Sequence, residues 1–394
     1  MRNEVKTVSS RRTLFTCACL GLLTFGIVFT MLGSVVPSII ERFGIDKAQA
    51  GGLFALMTSG ILAGSLAFGP MVDRYGYKGI LLAAIALTLI GLEGIAFAPS
   101  LALLRVAIVI VGFAGGIVNG GTNALVADIS SGERGASLNL LGVFFGIGAV
   151  GVPFILAMLT GRFTQSALIA SIGALVVIPM AVIAATTFPA PKQPQGFPIA
   201  AAGGILKDPL FLLMGLMLFL ESGLENMVGG WTSTFVHEEL EVAAGPALVI
   251  LSLYWLGMML GRLALGSVLR RAPPFAVLYV CLTIAFGGSA LLLTTHSVEM
   301  ATTGVFLLGL GFAAMFPNVL GFIGDRYAGL SGTAFSVVIA MALVGGMSFP
   351  LLAGILGGLY GMRGSFIIVP IALVVIGVLL GILKRGLGPT QSLR

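Results

Sequence analysis

The chain has 394 residues, of which 58% are hydrophobic and only 9% are charged, with a mean hydropathy of +1.10. Soluble globular domains carry about a quarter charged residues, so this composition excludes an ordinary soluble protein. The formal net charge of +6 does not indicate nucleic-acid binding. Most of the basic residues lie between the predicted spans at one membrane face, which is the usual distribution in membrane proteins.

Twelve apolar stretches reach the roughly 20 residues needed to cross a bilayer core. No alternation typical of a membrane β-barrel is present, and the 57 glycines suit close helix packing in lipid. The sequence therefore predicts an all-α membrane protein. Its predicted spans are 13–40, 48–70, 79–97, 102–128, 138–160, 166–187, 209–236, 245–266, 275–294, 300–324, 332–358 and 364–384.

The basic residues predict the orientation of these spans. Five of the 21 Lys and Arg residues fall at one membrane face (Arg42, Lys47, Arg105, Arg162 and Arg363), and all the others fall at the opposite face. Basic residues favour the cytoplasmic side, so both termini are predicted to be cytoplasmic. The first span is too long for a signal peptide and is expected to be retained. The absence of Asn-x-Ser/Thr sites suits a bacterial inner (plasma) membrane.

The chain divides near its middle. Residues 188–208 are rich in Pro, Gln and Lys and form the longest break between spans. We predict an N-terminal six-helix bundle over 1–187, a cytoplasmic linker over 188–208 and a C-terminal six-helix bundle over 209–394. Residues also match at a constant offset of 197, which indicates an internal duplication with two pseudo-symmetric halves. The matched pairs are Gly69 and Gly266, Gly135 and Gly332, Gly148 and Gly345, Pro153 and Pro350, and Gly161 and Gly358.

A short charged segment, predicted to be a tight loop, joins the second and third spans. It reads Gly69-Pro-Met-Val-Asp73-Arg74-Tyr-Gly76-Tyr-Lys78. This pattern resembles the signature between helices 2 and 3 of the major facilitator superfamily. The resemblance implies solute transport, the fold of that superfamily, and a gating role for Gly69, Asp73, Arg74, Gly76 and Lys78.

The position of this segment suggests specific contacts. Gly69 would allow close approach to helix 11. Arg74 could reach Asp128 at the predicted cytoplasmic end of helix 4, and Arg134 lies at the same face. We therefore add Asp128 and Arg134 to the candidate gate. The alternative is a basic loop that only sets the orientation of the helices.

Helix 7 carries two acids inside its predicted span. Glu221 and Glu225 are four residues apart and hence share one helix face. Polar groups inside a membrane are costly and mark pathways by default. Two carboxylates this close would not both ionise readily, which suits a reversible proton site or a site that binds hydroxyl groups. The alternative is a structural pair bonded to a neighbouring helix.

Further polar and aromatic residues inside the spans are candidates for solute binding. Asn119 and Asn123 lie four residues apart near the middle of helix 4, where amides suit hydroxyl-rich solutes or, alternatively, bond helices together. Gly229-Gly230 is expected to loosen helix 7, and Pro317 to interrupt helix 10. Trp231 could stack on a sugar or lie at the membrane surface. The candidate solute-binding set is Asn119, Asn123, Glu225, Asn226, Trp231, Tyr254, Trp255 and Asn318.

A narrower resemblance is to the fucose-permease and hexose-transporter branch of the superfamily. Three features carry this resemblance: Asn123 followed by Asp128, Glu225 six residues before Trp231, and the segment from Tyr254-Trp255 to Arg262. The resemblance implies a sugar-like solute. The chain departs from fucose-type proton symporters in having Asn119 and Gly33 where those have acids. Helix 7 is then the remaining candidate for coupling, or the protein is a uniporter.

The sequence as a whole predicts a secondary active transporter for a small polar, sugar-like solute. It would act as a monomer among membrane lipids, with protons as the candidate coupling ion through Glu221 and Glu225. An exporter of drugs or amphipathic lipids is the first alternative, supported by 16 Met and 26 Phe residues. A non-transporting membrane sensor is the second. No nucleophile–base pair, metal-ligand spacing, phosphate-binding loop or cofactor motif is apparent, so an enzyme is not predicted.

Overall fold

The computed structural model describes residues 9–130, 134–189, 204–269, 271–327 and 331–391. Most of the predicted linker lies outside these ranges, and so do the side chains of Asp73 and Arg134. Twelve helices are long and apolar enough to span a membrane. They are α1 (Arg11–Phe43), α2 (Lys47–Val72), α3 (Arg74–Phe97), α4 (Leu101–Ile129), α5 (Arg134–Leu159), α6 (Gln165–Ala185), α7 (Pro209–Glu239), α8 (Ala244–Val268), α9 (Pro274–Thr294), α10 (Val298–Arg326), α11 (Ser331–Phe366) and α12 (Ile368–Gln391).

Several helices begin at a side chain that caps their first turn. Ser100, Thr164, Asp208 and Ser297 each accept a hydrogen bond from a backbone N–H of the turn that follows. Such caps satisfy donors that would otherwise lack a partner at a helix start. Polar residues of this kind between apolar runs therefore define where α4, α6, α7 and α10 begin.

Two helices are interrupted in their middle, each about one turn before a proline. α10 consists of Val298–Phe312 and Met315–Arg326, and Pro317 follows the break. α6 breaks at Val176, with Pro179 in its second segment. A proline ring clashes with the carbonyl four residues before it, which here belongs to Ala313 or Leu175. The predicted interruption of helix 10 is confirmed.

The charged segment after Gly69 is not a loop, which corrects our expectation. The backbone is helical from Lys47 to Phe97, except at Gly76, where φ is 76° and ψ is 167°. Only glycine adopts this conformation at low cost, so one residue is enough to turn the chain near the start of α3. α3 begins at Arg74, two residues before this bend, and not at residue 79. Gly361, with φ of 77° and ψ of 165°, makes the same bend within α11.

The described residues fall into two compact units. The first comprises those within Met1–Phe29, Ser59–Val152 and Gly161–Gly196. The second comprises those within Thr30–Thr58, Pro153–Thr160 and Phe197–Arg394. Each unit has its own buried apolar core. These units are not the predicted halves 1–187 and 209–394, which were defined by the duplicated sequence. The predicted boundaries at 187 and 209 stay a prediction.

Equivalent glycines make equivalent contacts in the two units. In the first unit, a Cβ atom on Gly148 of α5 would overlap the backbone carbonyl of Leu23 in α1. In the second, a Cβ atom on Gly345 of α11 would overlap the carbonyl of Phe219 in α7. Both glycines therefore permit two helix backbones to touch. This repeated contact supports the predicted internal duplication.

Other glycines show different surroundings. Among the described residues, a Cβ atom on Gly69 would meet nothing within 4 Å, and its close approach to helix 11 stays a prediction. α7 is continuous at Gly229 and Gly230 in this structure, and bending there during gating stays a prediction. Side chains at these two positions would collide with Trp255 and Phe54, respectively. The pair is needed for packing, because large aromatic rings lie directly against the helix.

Candidate functional site

The two acids of α7 are buried within the second unit. Glu221 is 1% exposed and Glu225 is 8% exposed. They lie in the long stretch of α7, from Glu221 to Val236, in which nearly every residue is buried. Neither carboxylate oxygen of Glu221 has a hydrogen-bonding partner among the described residues. Glu225 differs, because its Oε2 atom is 3.6 Å from Nη2 of Arg262 in α8.

Arg262 belongs to the candidate site by its position, although the sequence did not place it there. We assigned it to the basic residues at the cytoplasmic face, whereas the structure pairs it with a buried acid. Its side chain is 31% exposed, so it extends from the acid pair toward the surface of the unit. The position of Arg262 inside the span predicted at 245–266 was the available signal, since charges within membrane segments usually have a partner.

Tyr254 and Trp255 of α8 pack against α7 beside these acids. The hydroxyl of Tyr254 is fully buried and donates a hydrogen bond of 3.3 Å to the backbone carbonyl of Glu225. The rings of Tyr254 and Trp255 meet edge to face with centroids 4.9 Å apart. Trp255 lies against Gly229. Both aromatic residues contribute to the packing that encloses the acid pair.

Trp231 is fully buried among other side chains, so its ring is not exposed to lipid or water in this structure. Its indole N–H donates a hydrogen bond of 3.0 Å to the backbone carbonyl of Pro350 in α11. Its ring centroid is 5.7 Å from that of Phe54 in α2. Solute stacking by Trp231 stays a prediction, and it would require a conformation in which one face of the ring is exposed.

Two candidate amides in the second unit are bonded within their own helices. The side chain of Asn226 donates a hydrogen bond of 2.8 Å to the carbonyl of Ser222 in α7. The side chain of Asn318 donates one of 2.7 Å to the carbonyl of Ala314, at the break in α10. Each amide nitrogen therefore supports its own helix, and the amide oxygens remain as acceptors.

The amides of α4 form a pair within the first unit. The Nδ2 atom of Asn123 donates to the backbone carbonyl of Asn119 at 2.8 Å and to the Oδ1 atom of Asn119 at 3.0 Å. Both residues are only partly buried. The pair is thus bonded along one helix. Their role in solute binding stays a prediction.

The contacts of the candidate gate differ from those we expected. The guanidinium of Arg74 lies 5.3 Å from the ring centroid of Tyr75 and forms no ion pair with a described carboxylate. Asp128 instead accepts a hydrogen bond of 2.6 Å from the hydroxyl of Tyr77. The ammonium of Lys78 donates to the carbonyl of Ala184 at 2.6 Å. The bend at Gly76 explains this arrangement, because it turns the residues after it toward neighbouring helices.

Two charged clusters outside the predicted site also went unrecognised in the sequence. At the start of α7, Asp208 accepts hydrogen bonds from Tyr327 at 2.5 Å and from Arg326 at 3.0 Å. At the other end of α7, Glu238 pairs with Lys47 at 2.6 Å, and Glu239 pairs with Arg363 at 3.5 Å. These partners are far apart in sequence, so only packing brings them together.

The acid pair and Arg262 carry one more negative charge than positive when both acids are ionised. Such a cluster can bind a proton, a cation or hydroxyl donors, and it opposes an anion. Within the described part of the chain, no group of three His, Cys, Asp or Glu side chains is arranged to hold a metal ion. An apolar groove of about 430 Å³ between α2, α3 and α4 contains none of the candidate residues.

Comparison with known proteins identifies the family. The family model of the Major Facilitator Superfamily matches residues 18–338. The chain belongs to this superfamily. Its members are transporters, so the chain is an integral membrane transporter of a small-molecule solute and not an enzyme. The predicted fold of twelve helices in two pseudo-symmetric six-helix bundles is confirmed.

Relatives of the chain carry different solutes by name. A glucose/mannose transporter of Bacillus subtilis (strain 168) is 23% identical over 351 residues, which cover 84% of each chain. A 3-(3-hydroxy-phenyl)propionate transporter of Escherichia coli (strain K12) is 25% identical over 370 residues, covering 90% of this chain and 89% of the relative. The crystal structure of a nucleoside transporter has a TM-score of 0.81 at 14% identity, covering 94% of this chain and 99% of that one. The last likeness shows the fold alone.

Proposed function

We propose that this superfamily member moves a small, uncharged polar solute of the sugar class by alternating access, coupled to protons through Glu221 and Glu225. The buried acid pair on α7, with Arg262 as its single described counter-ion, carries the proposal. Burying charge inside a membrane protein is costly and is tolerated where it serves a pathway or a proton relay. Two acids and one cation leave one negative charge that a proton can neutralise.

The same charge balance favours an uncharged solute over an anion. An organic anion near Glu221 and Glu225 would be repelled unless both acids were protonated. The candidate binding residues of α4, α7 and α10 offer amide oxygens, which accept hydrogen bonds from hydroxyl groups. The likeness to a glucose/mannose transporter agrees with this solute class. A bacterial inner membrane, cytoplasmic termini and a monomeric state belong to the same proposal.

The gate is the second part of this proposal. Gly69, Asp73, Arg74, Gly76, Lys78, Asp128 and Arg134 would control access from the cytoplasmic side. The observations that support it are local. The tight bend at Gly76 places Tyr77 on Asp128 and Lys78 on the end of α6. Breaking and remaking these bonds would accompany the opening and closing of that side.

Uptake into proteoliposomes tests the solute class and the coupling. Purified protein is reconstituted, and entry of radiolabelled D-glucose is followed with and without an acidic exterior. We expect the gradient to drive accumulation above equilibrium in the wild type. Glu225→Gln should abolish this accumulation, whereas Glu41→Gln, at an exposed acid, should leave it unchanged.

The relative that carries an aromatic acid motivates the contrasting measurement. Because Arg262 could bind a carboxylate, the same vesicles are tested with 3-(3-hydroxyphenyl)propionate. Uptake of this acid without uptake of glucose would overturn the proposed solute class. Resistance of cells to toxic amphiphiles, with neither uptake activity, would indicate the exporter instead.

A further inference from the structure

We infer that the two acids of α7 have different roles: Glu221 takes up and releases the proton, and Arg262 is a positioning residue that holds Glu225 as a permanent anion. This inference rests on the proposed proton coupling, which did not distinguish the two acids. It is carried by the surroundings of each carboxylate, which differ although the two residues are one helical turn apart.

Glu221 lacks the donors that a buried anion needs. It is 1% exposed, and both carboxylate oxygens are without a hydrogen-bonding partner among the described residues. The neighbouring donors are engaged elsewhere, since Tyr254 bonds the backbone of Glu225 and Asn226 bonds the backbone of Ser222. An ionised carboxylate in such surroundings is strongly destabilised, whereas the protonated acid is tolerated. In this conformation Glu221 carries the proton.

Glu225 has a fixed counter-ion. Its Oε2 atom lies 3.6 Å from the guanidinium of Arg262, and its side chain is 10% exposed. An opposite charge at this distance stabilises the ionised carboxylate. Removing one member of a buried ion pair leaves the other unpaired, which is far more costly than removing both. Arg262 therefore acts on the reaction through Glu225.

The other elements packed against α7 add no charge to this cluster. The charged groups that act on Glu221 are Glu225 and Arg262, and Tyr254 is the neighbouring ionisable hydroxyl. α1 and α2 also pack against α7, through Gly33 and Phe54. The described ionisable groups of α2, α10, α11, α12 and the Thr30–Phe43 part of α1 lie toward helix ends instead. They are Glu41 and Arg42 in α1, Lys47 in α2, Glu299, Asp325 and Arg326 in α10, Tyr360 and Arg363 in α11, and Lys384 and Arg385 in α12.

The resulting step is a simple exchange of one proton. A proton from water on one side binds a carboxylate oxygen of Glu221, and the net charge of the cluster changes from −1 to zero. Release to water on the other side restores the charge. Glu225 and Arg262 keep their charges throughout. A neutral cluster is easier to enclose in a low-dielectric interior, so protonation would favour the closed site.

Infrared difference spectroscopy tests this assignment without any solute. The full chain in lipid nanodiscs is titrated with acid and base, and the carbonyl stretching band of a protonated carboxylic acid is followed. We expect a titrating band in the wild type and in Glu41→Gln. It should be lost in Glu221→Gln, and it should still appear at the acid end of the titration in Glu225→Gln, where the unpaired Arg262 remains beside Glu221. Glu221→Asp should keep the band at a shifted frequency, which separates loss of the proton site from misfolding.

Arg262 is tested by the same measurement. In Arg262→Gln, Glu225 loses its counter-ion, so a second protonated-acid band should appear. The double variant Glu225→Gln/Arg262→Gln should show the single wild-type band. Loss of the wild-type band in Glu225→Gln but not in Glu221→Gln would overturn the inference, as would a wild type without a titrating band. If the bands behave as expected and glucose is not transported, the solute class fails while this assignment stands.

Discussion

Individual polar and charged side chains in this protein are positioned by the need for a hydrogen-bonding partner or a counter-ion. Arg262 lies within a membrane span, where an unpaired guanidinium would be costly, and Glu225 lies 3.6 Å away. Trp231 buries its whole ring, and its indole N–H is matched by the carbonyl of Pro350. Both residues follow the rule that buried polar groups have partners. Glu221 departs from this rule, and the proton site that we propose rests on this departure.

Asp208 provides a prediction at this scale. Burial raises the pKa of this carboxyl, but hydrogen bonds from Tyr327, the N–H of Leu210 and Arg326 outweigh burial, and the pKa lies below its ordinary value. A lowered pKa means that the ionised form stabilises the folded state. This contribution is complete above the unfolded-state pKa of about 3.9 and is lost as the pH falls through the lower folded-state pKa.

We therefore expect Asp208→Asn to lower the melting temperature at pH 7, with a difference that shrinks only below about pH 4. Asparagine also caps helices well, so the substitution removes the charge and largely keeps the cap. Thermal unfolding in detergent between pH 7 and pH 3 measures the effect. Asp325→Asn, at an exposed acid, is the control. A difference that persists unchanged at the lowest pH would contradict the prediction.

Helices in this protein are shaped by a few proline and glycine residues. α10 and α6 are each interrupted about one turn before a proline, Pro317 and Pro179 respectively. The clash of the proline ring with the preceding turn explains both interruptions. Gly76 bends the chain near the start of α3 with a single residue. Hydropathy predicts the length of an apolar run, but it does not distinguish a loop from a one-residue bend. This is why our expected loop after Gly69 was wrong.

The bend at Gly76 leads to a prediction that can be tested with a nearby glycine, Gly79, as the control. Alanine at this position must adopt φ of 76° with ψ of 167°, a region essentially restricted to glycine, at a cost of roughly 1–3 kcal/mol. Gly79, three residues later, is helical, and an added Cβ atom there would meet nothing within 4 Å. Gly79→Ala should be neutral or stabilising by up to about 1 kcal/mol, because alanine loses less chain entropy on folding.

Thermal unfolding of the two purified variants measures the difference, and we expect a lower melting temperature only for Gly76→Ala. Equal melting temperatures for the two variants would show that the bend is not under this constraint. The candidate gate should respond as well. Because Gly76 places Tyr77 on Asp128, its substitution should also reduce transport.

The whole molecule repeats its contacts, although the repeat is not uniform. Gly148 and Gly345 make matching helix contacts in the two units. Gly161 and Gly358 match in sequence but not in conformation, because Gly161 has φ of 83° and the corresponding bend falls at Gly361. The duplicated sequence therefore retains its helix packing and has diverged where helices are connected. Packed helices tolerate fewer changes than the connections between them.

Orientation in the membrane is a prediction for the whole chain. The basic residues place Arg271 on the cytoplasmic side and Glu41 on the opposite side. In a background with the three natural cysteines replaced by alanine, Glu41→Cys should react with a membrane-impermeant thiol reagent in intact cells. Arg271→Cys should react only after the cells are permeabilised. Both positions are exposed, so burial does not limit labelling.

The opposite labelling pattern would invert the predicted orientation, and with it the assignment of the gate to the cytoplasmic side. The natural cysteines require replacement because Cys281 is partly exposed, although Cys17 and Cys19 are buried.

The sequence by itself determined the twelve spans, the superfamily and the intramembrane acids of α7. These features are local, because hydropathy, a ten-residue motif and a four-residue spacing can all be read along the chain. Only the tertiary structure decided that Arg262 faces Glu225, that Glu221 has no described donor and that Trp231 is enclosed. Such contacts depend on how each helix is rotated against its neighbours, and in an almost uniformly apolar sequence that rotation is set by packing between distant residues.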